Sequence, residues 1–289
     1  MQTLDSLDAF RDAQDIVLTG PVALLLCEDS VEIDSTVAHM VARGFRTLVI
    51  MAAPSLRLPR VAAPVTAIRV GWRNDRPDAV TAAVNTAIDK APGQWMHMAF
   101  NAEYLFFPFC ETRRVGEMLA FHAEERRSAM LTYVVDLYGG DPDGTGAVSR
   151  ETAHLDSSGY YATARRDPER PDHVLERQLD FYGGLRWRFE EHVPQLRRRI
   201  DRIGLFRAAP GLRMRADFTF SEPEYNTYAC PWHNNLTAAI CSFRAAKALS
   251  TNAGSRLDIR TFMWDRSIPF EWRSEQLLDL GLMEPGQWF

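Results

Sequence analysis

Two polar residues, Asn101 and Glu103, close an apolar run in the segment Gly93-Gln94-Trp95-Met96-His97-Met98-Ala99-Phe100-Asn101-Ala102-Glu103-Tyr104-Leu105. Side chains two apart on a strand point the same way. At the carboxyl end of a strand in an open α/β sheet, that direction faces the ligand crevice. Such a pair can hold a divalent cation, Mn²⁺ or Mg²⁺, which in turn neutralises a diphosphate. A strand end followed by a solvated turn accounts for the same two residues without any ligand. Glu28 and Asp29 follow an earlier apolar run, Val22 to Cys27, and reach the same edge of a sheet. Asp29 or Ser30 also suits the N-cap of the next helix, since a short oxygen-bearing side chain satisfies an otherwise unpaired backbone N–H.

A second dense stretch is Tyr182-Gly183-Gly184-Leu185-Arg186-Trp187-Arg188-Phe189-Glu190-Glu191-His192. The glycines permit close backbone approach, Trp187 offers an aromatic stacking face, and Glu190 or Glu191 could act as a general base. A helix start with solvated acids explains the same residues. Glu222 opens a third stretch, rich in Tyr, Trp, His and Asn up to Asn235, in the manner of loops that line sites. There His233 has no partner at metal-ligand spacing, and Asn234 suits a helix cap. The Arg197-Arg198-Arg199 run with Arg202 and Arg207 could meet an anionic acceptor, or form a solvated face paired with Glu190 and Asp201.

The elements that must position these groups alternate in type. Val22–Cys27, Thr47–Met51, Ala67–Val70 and Trp95–Phe100 are strand-sized apolar runs; helical spacing falls between them, at Ile33, Val37, Met40 and Val41 and again at Ala79, Ala83, Val84 and Ile88. Gly44 and Pro92-Gly93 end the two helices. That β-α-β-β-α-β order implies a mostly parallel, Rossmann-like central sheet flanked by helices. A helix follows over Val115–Glu125 and a strand over Ala129–Tyr138. The second half reads as a basic helix over Val193–Phe206, a strand over Arg213–Phe220, and helices over Leu236–Leu249 and Trp272–Leu282. Residues 139–172 have few apolar anchors and read as a loop or lid that would bring Asp141, Asp143, Tyr160 and Tyr161 to a bound ligand, or equally as a solvated insertion without contact to the site. The expected division is therefore 15–138, 139–172 and 173–289.

On these residues the chain resembles the family 2 glycosyltransferases of bacteria, which have the glycosyltransferase type A (GT-A) fold. Asn85-Thr86-Ala87-Ile88-Asp89, Gly93-Gln94-Trp95 and Asn101-Ala102-Glu103-Tyr104-Leu105 are similar to the family's helix, its Gly-x-Trp and its acidic strand end. Leu24 to Cys27, Glu28-Asp29, His39 and Gly44-Phe45 are similar to its opening. The resemblance covers residues 20 to 138 and departs from the family at two places. Asn101 stands where the family has its first metal-site Asp, and Met51-Ala52-Ala53-Pro54 replaces the acids that usually follow the second strand.

The resemblance implies transfer of a sugar from a nucleotide-diphosphate donor to a glycan, lipid or protein acceptor. Glu28, Asn101, Glu103 and Trp187 would then hold the donor, Asn101 and Glu103 a Mn²⁺ or Mg²⁺ ion, and Glu190, Glu191 or Glu222 would serve as base. The two departures imply an alternative, a degenerate member of the fold that acts as a binding or scaffold module.

Composition narrows the classes. A net charge of −5 argues against nucleic-acid binding through the overall field. No apolar run approaches the roughly 20 residues a bilayer-spanning helix needs. The first residues carry acids where a signal peptide has basic ones, so the expected location is cytoplasmic, with contact to the inner face of a membrane compatible with it. Four scattered cysteines without a Cys-x-x-Cys pair suit reduced thiols.

Overall fold

A computed structural model describes residues 1–140, 144–228 and 235–288. Asp141, Asp143, His233 and Asn234, singled out above, lie outside the described residues, as does Cys230, one of the four cysteines. In chain order the elements are β1 (Gln2–Leu4), α1 (Leu7–Asp12), β2 (Val22–Cys27), α2 (Ile33–Arg43), β3 (Thr47–Ala52), β4 (Thr66–Gly71), α3 (Ala79–Lys90), β5 (Trp95–Phe100), β6 (Glu103–Phe106), α4 (Val115–Glu124) and β7 (Ala129–Asp136). They continue with β8 (His154–Asp156), β9 (Tyr161–Arg166), β10 (Val174–Tyr182), α5 (Leu185–Arg188), β11 (Asp201–Arg207), β12 (Ala238–Ser242), α6 (Arg244–Thr251), α7 (Ser255–Asp258), β13 (Ser267–Pro269) and α8 (Ser274–Asp279). The expected halves are continuous in sequence, whereas the two compact units are each assembled from three segments. The first takes Met1–Leu105, Thr112–Met130 and Ile203–Asn226; the second takes Phe106–Glu111, Leu131–Arg202 and Thr227–Phe289.

The first unit is built on a parallel sheet. β1, β4, β3, β2 and β5 run side by side in that order, and β11 pairs with β5 in the opposite sense, Leu205 facing His97. Every residue of β2 and β3 is buried, as a strand covered on both faces requires. Each such aliphatic side chain contributes about 1.5–3 kcal/mol of apolar burial. This is the α/β class with a mostly parallel sheet and flanking helices that the alternating pattern implies. Helix α2 ends at Gly44, whose φ of 94° needs a residue without Cβ, and the N–H groups of Gly44 and Phe45 return to Val41 O and Met40 O.

The second unit pairs β7 with β12 in parallel, Asp136 facing Ser242 at their carboxyl ends. It also contains two antiparallel hairpins, β9 with β10 and β8 with β13. A core of Tyr138, Leu185, Leu249, Ile259 and Phe262 packs beside them.

Four expectations for the later chain are corrected. Val193–Phe206 is not a basic helix: Asp201–Phe206 is buried strand β11, because Ile203, Leu205 and Phe206 pack inward. Arg213–Phe220 keeps a single bridge, Met214 to Phe220, and no strand. Leu236–Leu249 is split between β12 and α6. Residues 139–172 hold β8 and β9, so the segment is not structureless; Leu155 is fully buried and Arg165 nearly so. Cys27, Cys110 and Cys241 are buried without a disulfide. Among the described residues no helix is long and apolar enough to cross a membrane.

Candidate functional site

In the first unit, strands β2, β3 and β4 succeed one another to one side, while β5 lies on the other side of β2. The order of the sheet therefore reverses between β2 and β5, the place where open α/β sheets bind ligands. Asn101 follows β5 there and is fully buried. Its Oδ1 accepts from Glu28 N at 2.9 Å, and its Nδ2 donates to Asp29 Oδ1 at 2.7 Å and to Val31 O at 2.8 Å. Asp29 Oδ1 also accepts from Val31 N at 2.9 Å.

Asn101 and Glu103 are not on one strand. The chain turns at Ala102, whose φ is 63°, and the Glu103 carboxylate accepts from Phe100 N at 2.9 Å, closing that turn. Both side chains face protein partners, so either would have to leave these bonds to meet a cation. Nor do Asp29 or Ser30 cap α2. Glu32 occupies the cap position with φ 55°, and its carboxylate takes the hydroxyls of Ser35 and, at 3.1 Å, Tyr104.

Glu28 is half-buried and accepts from Asn74 Nδ2 at 2.8 Å, joining the loop after β2 to the loop after β4. Beside Asn74, Arg73 is exposed and has no ion-pair partner among the described residues. A cleft of about 370 Å³ opens there, lined by Asp5, Pro54, Trp72, Arg73, Asp75 and Arg76. Gly71 is required at its floor, since a Cβ would lie 2.1 Å from Asp5 O.

The second unit holds a buried charged cluster that sequence reasoning missed. Asp136 ends β7 and is fully buried. Arg186 meets it twice, through N at 3.2 Å from Oδ2 and through Nε at 3.2 Å from Oδ1. Oδ1 nevertheless has no hydrogen bond among the described residues, and neither does the buried hydroxyl of Tyr160. Burial pushes the Asp136 carboxyl up to about 6, against the pull of Arg186. Burial likewise raises the Tyr160 hydroxyl, which lies within electrostatic reach of Asp156, Asp136 and Tyr138.

Asp156 is held by Arg188 Nε at 2.8 Å, Trp264 Nε1 at 2.8 Å and the Tyr138 hydroxyl. The glycine pair makes this packing possible. A Cβ on Gly183 would fall 2.1 Å from the Tyr160 ring, and one on Gly184 3.0 Å from Asp136 Oδ2. Over the cluster the run Gly159-Tyr160-Tyr161 leads outward. Tyr161, 47% exposed, stacks on Tyr182 with centroids 5.1 Å apart and meets Trp187, 38% exposed, edge-on at 6.5 Å.

The expected bases stand elsewhere. Glu190 is on the surface and pairs with Arg198 at 3.3 Å; Glu191 lies 3.8 Å from His192. Glu222 is exposed beside a short turn in the first unit. Of the residues expected to act, Trp187, Tyr160 and Tyr161 join the second-unit cluster. One signal could have found Asp136, a carboxylate ending an apolar strand, the same signal that drew attention to Asn101. Among the described residues no group of three or more His, Cys, Asp or Glu is placed to hold a metal ion.

No protein-family model matches the chain, and no curated protein does. Among solved structures, a UTP-bound UGPase from Acinetobacter baumannii is similar over 82% of this chain and 96% of its own, with 10% identity and a TM-score of 0.35. A likeness that loose carries no functional argument.

Proposed function

We propose that the protein is a glycosyltransferase that moves a sugar from a nucleotide-diphosphate donor to a glycan, lipid-linked or protein acceptor. One observation carries the reading. The Glu28–Asn74 bond draws the loops after β2 and β4 together at the carboxyl edge of a parallel sheet, and Arg73 stands there exposed and without a counter-ion among the described residues. A guanidinium in that position suits a diphosphate. The motif resemblance to family 2 glycosyltransferases over residues 20 to 138 supports the same reading. A Mn²⁺ or Mg²⁺ ion would enter with the diphosphate, and Asn101 or Glu103 would join it only by giving up present hydrogen bonds.

The test is thermal stability in the presence of UDP-, GDP- and dTDP-sugars, each with and without Mn²⁺. Binding to the folded state alone raises the melting temperature. Arg73→Ala should lose that rise, and absence of any rise in the unaltered chain would count against the reading. A second reading, a degenerate binding or scaffold module, is favoured by the Asn101 bonds that close the place where the sheet order reverses. Nucleotide-sugar binding without any turnover would select it.

A further inference from the structure

We infer that the amino-terminal edge of the parallel sheet carries a second binding site, for a carboxylate borne on a flat apolar ring, with Arg207 taking the carboxylate and Trp95 the ring. The site goes beyond the transferase reading and does not depend on it. It lies wholly within the first unit, at the opposite end of β2 and β5 from Glu28 and Asn101. A cleft of about 340 Å³ opens there, bounded by Pro21, Trp95, Leu119, Ala120, Ala123 and Arg207. That volume falls at the lower end of small-molecule sites, which span roughly 300–1,000 Å³. Trp95 opens β5 and Arg207 closes β11, and the antiparallel register sets the two directly opposite each other. Opposed residues of neighbouring strands put their side chains on one face, within reach of a single ligand.

The polar groups around the cleft are unbalanced toward donors. Arg207 is exposed, and its Nε donates to Gly93 O at 3.0 Å, which fixes the plane of the guanidinium. Its two Nη groups have no hydrogen bond or ion pair among the described residues. Gln94, half-buried, accepts from Gly20 N at 2.8 Å through Oε1, while its Nε2 donates to no described residue. Two nearby acceptors are already taken, Gly93 O by Arg207 Nε and Gln94 O by Ala208 N at 2.9 Å. Among the described residues that line the cleft there is no Asp or Glu. Donors left over beside occupied acceptors suit an acceptor-only ligand group, and two coplanar Nη groups match the two oxygens of a carboxylate. The remaining wall selects the body of the ligand. Trp95 is half-buried and held against the buried His122, ring centroids 5.8 Å apart, so the indole is fixed while part of it stays open for an offset ring stack. Gly116, on the α4 side, borders open space: an added Cβ would meet nothing within 4 Å.

The experiment titrates benzoate, naphthoate and indoleacetate into the full chain by calorimetry, each beside its neutral amide, with acetate as the anion alone. The titrations are repeated on Arg207→Gln and Gly116→Phe, whose melting temperatures show that they fold. At least one of the aromatic acids should bind, and its amide and acetate should each bind roughly tenfold more weakly or worse. Arg207→Gln should weaken the acid by a similar factor. Gly116→Phe, which fills the cleft from α4, should remove its binding altogether. Should that variant melt early, Ala120→Trp blocks the same space from an exposed position of the helix. The site is overturned if none of the three acids binds at millimolar concentration, or if the cleft-filling variant binds like the unaltered chain. An amide that binds as tightly as its acid, or Arg207→Gln that binds as tightly as the unaltered chain, overturns the assignment of a carboxylate to Arg207.

Discussion

Asn101 donates to Asp29 across the place where the sheet order reverses, Nδ2 to Oδ1 at 2.7 Å, and so holds the loop after β2 against the end of β5. Asn101→Asp would remove this donor and set a second carboxylate against the first. The cost expected is roughly 3–5 kcal/mol, that of an uncompensated buried charge. Urea denaturation without and with Mn²⁺ measures it. Partial rescue by Mn²⁺ would show that the paired acids bind a cation, and unchanged stability without metal would contradict the bracing role.

Asp136 makes stability depend on pH. Folded, it keeps its proton up to about pH 6; an unperturbed Asp loses it near 3.8. Between those values the folded state holds more protons, so stability falls as pH rises from about 4 to 6 and stays lowered above that. The separation corresponds to a change on the order of 3 kcal/mol. Relative to Asp136→Asn, the unaltered chain should therefore lose stability between pH 4.5 and pH 7, with most of the loss below about pH 6. Denaturation midpoints at both values check this, and a constant difference between the two proteins would refute it.

The glycine pair gives a steric prediction. Gly183→Ala drives a Cβ into the Tyr160 ring and should cost about 1–3 kcal/mol. Gly116→Ala is the control: it lies in helix α4 with nothing within 4 Å of the added carbon, and should stabilise by about 0.4–1 kcal/mol. Melting temperatures of opposite sign are the expected result.

Arg165 joins two acids in the second unit, Asp180 at 2.7 Å and Asp201 at 2.5 Å, and Arg199 meets Asp180 at 2.8 Å. Asp201 is buried, and its carboxyl is raised by that burial. Arg165→Met leaves Asp201 without its closest cation and should cost roughly 3–5 kcal/mol in urea denaturation. A loss below about 1 kcal/mol would mean that Arg199 alone compensates both acids.

The first unit was legible because its strands are continuous apolar runs bounded by helices with clear stops, such as Gly44. The later chain was not. Asp201 and Arg202 look like polar residues of a basic helix, yet they are buried in β11, and Asp201 is paired with an arginine 36 positions earlier. Periodicity carries no record of such a partner. The same holds for the site. Asn101 was noticed from its place after a strand, but its three hydrogen bonds run to residues 70 to 73 positions away. Asp136 and Tyr160 come together only through the folding of Gly183-Gly184 between them, a spatial fact with no local spacing to announce it.

The transferase claim is tested most directly by nucleoside diphosphate release. The purified chain is incubated with UDP-, GDP- and dTDP-sugars plus an oligosaccharide acceptor, with Mn²⁺ and with chelator, and products are separated chromatographically. The account predicts release from at least one donor, dependent on the acceptor and lost in Arg73→Ala. No release above the enzyme-free background from any donor, by a chain shown to be folded, would contradict it.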